Sequence, residues 1–154
     1  MKAVIQRVSS ANVSVGGKTV GECNKGYMIL LGVQSDDTER DLETLIKKVV
    51  NLRIFEDNDE KMNLSLLDID GEVLCISQFT LCADTKKGNR PSFIGAMHPD
   101  KASEFYDRFC DGLKQNGVKR VEKGIFGADM QVSLVNDGPV TIILDTELWC
   151  KREN

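Results

Sequence analysis

The segment from Glu72 to Asp84 reads Glu-Val-Leu-Cys-Ile-Ser-Gln-Phe-Thr-Leu-Cys-Ala-Asp, and the interpretation of the whole chain starts from it. Its first apolar run, Val73 to Ile76, predicts a strand buried on both faces, because a short continuous apolar run suits a covered sheet. Ser77, Gln78 and Thr80 follow, and each hydroxyl or amide would cost about 1–3 kcal/mol if buried without a partner. We therefore expect these groups either to bond to neighbouring backbone or to face a ligand.

Hydrophobic patterning on both sides of this segment predicts strands and two helices. Apolar residues at helical spacing, with capping side chains, predict helices over residues 38–52 and 98–117. Extended segments are predicted at residues 2–8, 12–15, 18–22, 27–33, 118–126, 130–135 and 140–144, with a glycine turn at 16–17, a surface loop at 51–67 and a turn at 136–139. This order predicts an α/β fold, a single mixed domain over residues 1–154 in which two main helices cover one side of the sheets. The charged end, residues 146–154, is predicted to be a loose tail.

Length and composition exclude several classes of protein. A chain of 154 residues with a net charge of −4 does not suit non-specific coating of nucleic acid, which depends on neutralising many phosphates. The five cysteines form no CxxC pair, so the sequence predicts reduced thiols rather than a disulfide framework or a zinc site. The amino terminus lacks the layout of a signal peptide, and no apolar run approaches about 18 residues. We expect a soluble cytoplasmic protein.

Few residues are available for catalysis. His98 is the single histidine, and its place before Pro99 at a helix start predicts a capping or surface residue rather than a general base. The sequence has no metal-ligand cluster and no phosphate-binding glycine motif, so we expect neither a metal nor a cofactor. Peptide N–H groups between Ser77 and Thr80 could converge on an oxyanion, a stabilisation worth about 3–4 kcal/mol per donor. Gly138-Pro139, taken alone, predicts an ordinary hairpin turn.

Two motifs resemble the signatures of a known enzyme family. Ser77-Gln78-Phe79-Thr80-Leu81 and Asn136-Asp137-Gly138-Pro139-Val140-Thr141 are similar to the two signature motifs of the D-aminoacyl-tRNA deacylases, also called D-tyrosyl-tRNA deacylases. Further segments resemble the family in the same order, at residues 1–8, 51–55, 61–65, 87–93 and 126–130. The resemblance covers the chain from residue 1 to residue 145. The sequence departs from the family at Cys82, where an aromatic residue is common, and at Glu60-Lys61, which lacks a frequent glycine.

The resemblance implies a homodimeric hydrolase with a three-layer β/β/α fold. Its reaction would cleave the ester bond between a D-amino acid and the 3'-terminal adenosine of tRNA, which recycles the tRNA. In the family the Gly-Pro bond is cis, and this motif enters the active site of the other subunit. Carried over, the Gly138 carbonyl would hold the α-ammonium group of the substrate, while Gly138-Pro139 rejects an L side chain. Glycine, which has no side chain to reject, would also be accepted.

The resemblance also assigns roles to individual residues. The catalytic group would comprise Ser77, Gln78, Phe79 and Thr80. The substrate-binding group would comprise Asn136, Gly138, Pro139, Phe126, Met130 and Arg7, with Phe79, Phe126 and Met130 around the terminal adenine and Arg7 bracing the partner's Gly-Pro loop.

Alternative roles remain for several of these residues. Phe126 and Met130 could be plain core residues, and Arg7 could be a solvated residue at a strand end. The basic residues Lys86, Lys87 and Arg90 would either contact acceptor-stem phosphates or form a solvated loop.

The mechanism and two rival functions also remain open. Thr80 could act as a nucleophile, although no histidine is evident to take its proton. We favour a substrate-assisted mechanism, in which the 2'-hydroxyl of the terminal ribose helps to activate water and N–H groups around Phe79 and Thr80 stabilise the oxyanion. The rival functions are a tRNA-binding module without hydrolysis and a general esterase that acts on small esters. We expect no DNA partner and no membrane partner.

Overall fold

A long first strand organises the sheet of this protein. The computed structural model describes residues 1–150. In chain order the elements are β1 (Lys2–Val15), β2 (Lys18–Cys23), β3 (Gly26–Gly32), α1 (Glu39–Asn51), β4 (Phe55–Glu56), β5 (Met62–Leu64), β6 (Glu72–Ser77), α2 (Pro99–Gln115), β7 (Val121–Lys123) and β8 (Gln131–Asp145). The first half of β1 pairs antiparallel with β3, and its second half pairs with β2 across the predicted glycine turn. The other edge of β1 pairs antiparallel with β8.

Parallel strands extend the sheet on the far side of β3. Strand β6 pairs parallel with β3, and β7 pairs parallel with β6, which gives the order β2-β1-β3-β6-β7. The residues from Val73 to Ile76 in β6 are buried, so the strand predicted from this apolar run is confirmed. Parallel neighbours need crossover connections, and the two helices lie in these connections.

The two helices confirm the segments predicted at residues 38–52 and 98–117. At the start of α1, the peptide N–H and the hydroxyl of Thr38 both donate to the Asp41 carboxylate at 2.9 Å. At the start of α2, Nδ1 of His98 accepts from the peptide N–H of Asp100 at 3.5 Å, and the His98 ring is exposed. The predicted role of His98 as a capping or surface residue is therefore confirmed. Among the described residues, neither helix is long and apolar enough to cross a membrane.

Two hydrophobic cores divide the domain into layers. The larger core lies between the sheet and the helices, with Leu45 of α1 and Phe109 of α2 at its centre. The smaller core involves Val13, Met28 and Ile76, from strands β1, β3 and β6. It forms because β2 and the second half of β1 fold over β3 and β6 and make a second layer of strands. Over residues 1–150 the fold is thus a mixed α/β single domain with two α-helices and a large mixed sheet, which confirms the predicted class.

Three segments differ from the sequence prediction. The loop predicted at residues 51–67 contains the β4-β5 hairpin. The strand predicted at residues 118–126 is reduced to β7. The strands predicted at 130–135 and 140–144 are one strand, β8, so the hairpin predicted at 136–139 is wrong. The reason is tertiary, because β1 offers a pairing edge to both halves of β8 and the turn residues are accommodated as a bulge.

The end of the described chain is packed rather than loose. A short 3-10 helix, Thr146–Leu148, follows β8. Thr146 is fully buried, and its hydroxyl accepts from the Met1 ammonium group at 2.6 Å and donates to the Asp41 carboxylate. The predicted loose tail is therefore wrong for residues 146–150, since these buried contacts fix the segment. The rest of that prediction concerns residues 151–154, which lie outside the described residues.

Candidate active site

The polar residues that follow β6 form a short turn at the carboxyl ends of two parallel strands. Ser77 ends β6 beside Leu31 of β3, and the peptide N–H of Gln78 donates to the Leu31 carbonyl at 2.8 Å. Residues Phe79–Cys82 then form one turn of 3-10 helix. Gly32 permits this turn to lie directly on the end of β3, because a Cβ at Gly32 would lie 2.9 Å from Cβ of Leu81 and 3.1 Å from the Gln78 carbonyl oxygen. The sheet therefore holds the turn at its carboxyl edge, where α/β proteins commonly bind ligands.

The turn presents both backbone donors and an aromatic ring. Its first internal hydrogen bond runs from the N–H of Leu81 to the carbonyl of Gln78 at 3.2 Å, so the N–H groups of Phe79 and Thr80 have no partner within the turn. The Thr80 hydroxyl accepts a hydrogen bond from the side-chain amide of Gln78. The Phe79 ring is 58% exposed and packs edge-on against Phe93, with ring centroids 5.1 Å apart.

A cavity of about 270 Å³ opens beside this turn, and we refer to it as the first chamber. Ser77, Gln78 and Phe79 form one part of its wall, and Phe126 and Met130, which precede β8, form another. The structure therefore brings five of the predicted site residues together. Thr80 is exposed on the outer side of the turn and does not line this chamber. The walls are largely apolar with polar groups at the turn, as in many ligand pockets.

Residues of α2 complete the first chamber, and sequence reasoning missed them. Ala102 and Tyr106 line it, although their helical spacing predicts a core stripe. The two roles are compatible, because these residues lie where the apolar stripe of α2 reaches the end of the core. The Tyr106 hydroxyl donates to the Cys75 carbonyl at 2.6 Å, and burial raises the pKa of Tyr106 well above its usual range. This hydroxyl therefore ties α2 to β6 by a buried hydrogen bond and does not transfer protons in the chamber.

A second chamber of about 540 Å³ adjoins the first. The two chambers share Phe79, Ala102, Phe126 and Gly127. The other residues that line the second chamber are Phe93, Ala96, Met97, His98 and Pro99. The sequence signal for these further residues is weak, since among them only Phe93 belongs to a segment that resembles the family.

The second motif forms a loop on β8. The β1 residues on either side of Arg7 pair with Asn136 and Thr141, so residues 137–140 bulge out opposite Arg7 alone. Gly138 and Pro139 are exposed, and the peptide bond between them is cis, as the resemblance implies. The ordinary hairpin turn that the dipeptide predicts by itself is not observed.

Asn136 closes this loop from both sides. Its Oδ1 accepts from the peptide N–H of Val140 at 2.8 Å. Its Nδ2 donates to Oε1 of Gln6 at 3.1 Å and to the hydroxyl of Thr141 at 3.2 Å. Asn136 therefore ties the loop to β1 and fixes its width.

Arg7 braces the loop of its own chain, and its contact with the partner's loop stays a prediction. Its guanidinium donates from Nε to the Asp137 carbonyl and from Nη1 to the Ile54 carbonyl, both at 2.8 Å. Its Nη2 lies 3.8 Å from the Glu56 carboxylate, and the residue is only 6% exposed. The cause is the pairing of β1 with β8, which places Arg7 directly beneath the bulge. Arg7 is therefore not a solvated residue.

The two motifs do not meet within one chain. Arg7 pairs with Tyr27 near the start of β3, whereas the first chamber lies at Leu31, near the end of β3. Four strand residues span about 13 Å, and β1 separates the loop on β8 from β3. None of residues 136–140 lines either chamber.

The described residues contain no group of three His, Cys, Asp or Glu side chains placed to bind a metal ion. His98 lines the second chamber, but its Nδ1 contacts the peptide N–H of Asp100 and lies 3.6 Å from the Asp100 carboxylate. The polar groups that the turn itself offers are the hydroxyls of Ser77 and Thr80, the side-chain amide of Gln78 and backbone N–H groups.

These features define a class of small α/β enzymes whose pocket lies at the carboxyl ends of parallel strands. A family model described as D-Tyr-tRNA(Tyr) deacylase matches residues 4–145. The chain belongs to this family, whose members are hydrolases that act on the ester bond of aminoacyl-tRNA, and the resemblance seen in the two motifs is confirmed.

Two solved structures support the same fold. One, described as c-Myc DNA Unwinding Element Binding Protein, is 44% identical, with 94% of this chain and 98% of that chain covered and a TM-score of 0.89. Another, described as a probable eukaryotic D-amino acid tRNA deacylase, is 20% identical, with 93% and 97% covered and a TM-score of 0.80. At 20% identity the second likeness shows the fold alone.

Proposed function

We propose that this protein hydrolyses the ester bond between a D-amino acid and the 3'-terminal adenosine of tRNA and so returns free tRNA. The placement of the two motifs carries the proposal. One motif lines an open chamber, and the other projects from an exposed loop at a distance, so a complete site needs a second copy of the chain. Family membership supports the same reaction.

The proposed partner is a second copy that docks along β8. Within residues 1–150 this strand of 15 residues pairs only with β1, so its outer edge carries peptide groups without a strand partner there. Val135 and Ile143 on β8 are 57% and 74% exposed. A long edge strand with exposed apolar side chains is a ready surface for pairing with another chain. The Gly138-Pro139 loop of one subunit would then enter the first chamber of the other.

In this proposal the first chamber holds the terminal adenosine. The adenine base stacks among Phe79, Phe126 and Met130, a contact worth about 1–3 kcal/mol per base. The ester carbonyl then lies at the turn, where the N–H groups of Phe79 and Thr80 stabilise the tetrahedral oxyanion. Ser77 and Gln78 fix the position of this turn, because the backbone of Gln78 is bonded to β3.

Water is the nucleophile in this mechanism. It adds to the ester carbonyl carbon, the bond to the 3' oxygen breaks, and that oxygen leaves with the proton that the water gives up. The neighbouring 2'-hydroxyl of the substrate relays this proton from the water to the 3' oxygen. The Thr80 hydroxyl accepts from Gln78 and contacts no described base, which favours water over Thr80 as the nucleophile.

The Gly138-Pro139 loop of the partner subunit discriminates between D- and L-amino acids. The Gly138 carbonyl accepts hydrogen bonds from the substrate α-ammonium group, and this fixes the orientation of the α-carbon. An L side chain then collides with Gly138-Pro139, whereas a D side chain points outward. Glycine carries no side chain, so glycyl-tRNA is also hydrolysed.

The direct test is release of tyrosine from D- and L-tyrosyl-tRNA. We expect hydrolysis of the D form alone, and hydrolysis of glycyl-tRNA. Equal cleavage of D- and L-tyrosyl-tRNA would refute the proposed rejection of L-amino acids by Gly138-Pro139. Binding of tRNA without cleavage would indicate a binding module, and equally efficient cleavage of tyrosine ethyl ester would indicate a general esterase.

A subunit-mixing experiment tests whether the site is shared. Ala128→Trp is designed to fill the first chamber, and deletion of Gly138 and Pro139 removes the loop; each variant alone should be inactive. After mixing and exchange, half of the dimers contain both variants, and one of their two sites is intact. We expect recovery of about a quarter of wild-type activity. No recovery from dimers shown by mass spectrometry to be mixed would refute the shared site.

The 44% identical structure is described as a protein that binds a DNA unwinding element, which names DNA as the partner of that protein. For this chain we propose tRNA rather than DNA, since the family model that matches residues 4–145 is that of a tRNA deacylase. Competition tests this choice: excess duplex DNA should leave D-tyrosyl-tRNA hydrolysis unchanged. We also place the activity in the cytoplasm, where charged tRNA is used.

A further inference from the structure

A cluster of positive charges lies beside the candidate active site, and the proposed mechanism does not use it. Lys86, Lys87 and Arg90 belong to a loop closed by two backbone hydrogen bonds between Asp84 and Ser92, at 2.8 and 2.9 Å. All three side chains are exposed, and none forms an ion pair with any residue between 1 and 150. The Asp84 carboxylate accepts from the backbone N–H of Lys86 at 2.9 Å. In a chain of net charge −4, this loop is a local site of positive potential.

The basic loop is continuous with the second chamber. Ser92, which closes the loop, precedes Phe93, and Phe93 both lines the second chamber and packs against Phe79. The next residue, Ile94, is 92% exposed, an apolar side chain with almost no cover. Outward from the first chamber there follow the second, largely apolar chamber, the exposed apolar side chain of Ile94 and the charged groups of the basic loop.

This combination matches the chemistry of a single-stranded nucleic acid. Surfaces that bind single strands pair cations, which contact phosphates, with aromatic and apolar groups, on which bases stack. The terminal adenosine of tRNA is joined through its 5' phosphate to further unpaired nucleotides. If the adenosine fills the first chamber, the chain of nucleotides must leave through its mouth, where the second chamber opens.

We propose that the second chamber holds the base of the penultimate nucleotide and that Lys86, Lys87 and Arg90 bind phosphates of the single-stranded 3' end. This inference rests on the proposed function and deepens it. Under this proposal, the second chamber and the basic loop make the enzyme prefer the 3' end of a tRNA to a simple aminoacyl-adenosine.

Two substrates with the same reactive ester separate this inference from the proposed function. D-tyrosyl-tRNA carries the whole 3' end, whereas 3'-O-D-tyrosyl-adenosine carries only the group assigned to the first chamber. The test variant is the triple substitution Lys86→Ala, Lys87→Ala and Arg90→Ala. The control is Lys18→Ala, Lys25→Ala and Lys47→Ala, which removes the same charge from exposed residues away from the chambers.

We expect the test variant to lose activity on D-tyrosyl-tRNA in kcat/KM and to keep wild-type activity on D-tyrosyl-adenosine. Three phosphate contacts to a single strand contribute about 2 to the slope of log(kcat/KM) against log[salt]. Between 50 and 200 mM salt, the wild type should therefore lose about 20-fold more activity on D-tyrosyl-tRNA than the variant does. The control variant should keep the wild-type slope.

Several results would overturn the inference. These are an equal loss on both substrates, an equal loss in the control variant, or an unchanged salt slope. Ile94→Ser, which removes no packing, should weaken cleavage of D-tyrosyl-tRNA alone, and a change of oligomeric state instead would assign this surface to a protein contact. Inactivity of the wild type on both substrates would refute the proposed function itself, and this inference with it.

Discussion

Gly138→Ala is a sharp test of the loop that the structure places on β8. The φ of Gly138 is +141°, a region that costs a residue with a side chain about 1–3 kcal/mol. The added Cβ would lie 2.8 Å from Cγ2 of Val140, 2.9 Å from the Val140 nitrogen and 3.2 Å from Nη2 of Arg7. These neighbours cannot retreat freely, because the Val140 N–H is bonded to Asn136 and Arg7 is bonded to two carbonyls. The loop itself must therefore move.

The expected magnitude follows from these contacts. A loss of about 2 kcal/mol in the free energy of unfolding lowers Tm by about 4–8 °C for a chain of this length. Displacement of the Gly138 carbonyl should lower kcat/KM for D-tyrosyl-tRNA at least tenfold, which corresponds to about 1.4 kcal/mol of lost transition-state stabilisation. Selectivity for D over L should fall as well.

The matched control for this experiment is Gly17→Ala. Gly17 has a φ of +80°, but an added Cβ would meet nothing within 4 Å, and the residue lies in the β1-β2 turn. This variant should lose some stability and no activity. The assay is initial-rate hydrolysis of D- and L-tyrosyl-tRNA beside thermal unfolding. Wild-type rate and selectivity in Gly138→Ala would refute the reasoning.

Three further predictions concern other parts of the chain. Thr80→Ala should lower kcat on D-tyrosyl-tRNA less than about tenfold, since it removes only the acceptor of the Gln78 bond, and a loss above about 1,000-fold would show that Thr80 is the nucleophile. All five cysteines are buried, and burial raises the pKa of the Cys23 thiol to about 11, so a thiol reagent at pH 8 should modify the native protein only slowly and label five thiols after denaturation. Hydrogen bonds from Asn63 and nearby peptide groups lower the pKa of Asp57, so their stabilisation is present above about pH 4 and is lost as pH falls through the folded-state pKa. Urea unfolding at pH 7 and pH 3 should therefore show a smaller change with pH for Asn63→Ala than for the wild type.

The amino-acid sequence by itself determined the elements whose signals are local. The apolar run at residues 73–76 predicted the buried strand, and helical spacing with capping residues predicted both helices, because these patterns depend on neighbours within a few positions. The two motifs resembled a family closely enough to predict its fold and its reaction. The sequence also predicted that the side chains of Ser77, Gln78 and Thr80 would face either backbone or a ligand. In the structure the side chains of Gln78 and Thr80 bond to each other, and Ser77 and Gln78 line the first chamber.

Tertiary structure alone decided how these pieces meet. Residues 136–139 have the composition of a turn, yet they bulge from a continuous strand because β1 pairs with both halves of β8. Arg7 is buried beneath that bulge for the same reason, and Thr146 is fixed by contacts with residues far away in the sequence. Ala102 joins the chamber wall because the end of a core stripe happens to reach the cavity. Local sequence cannot encode such outcomes, since each depends on contacts with residues that are distant along the chain.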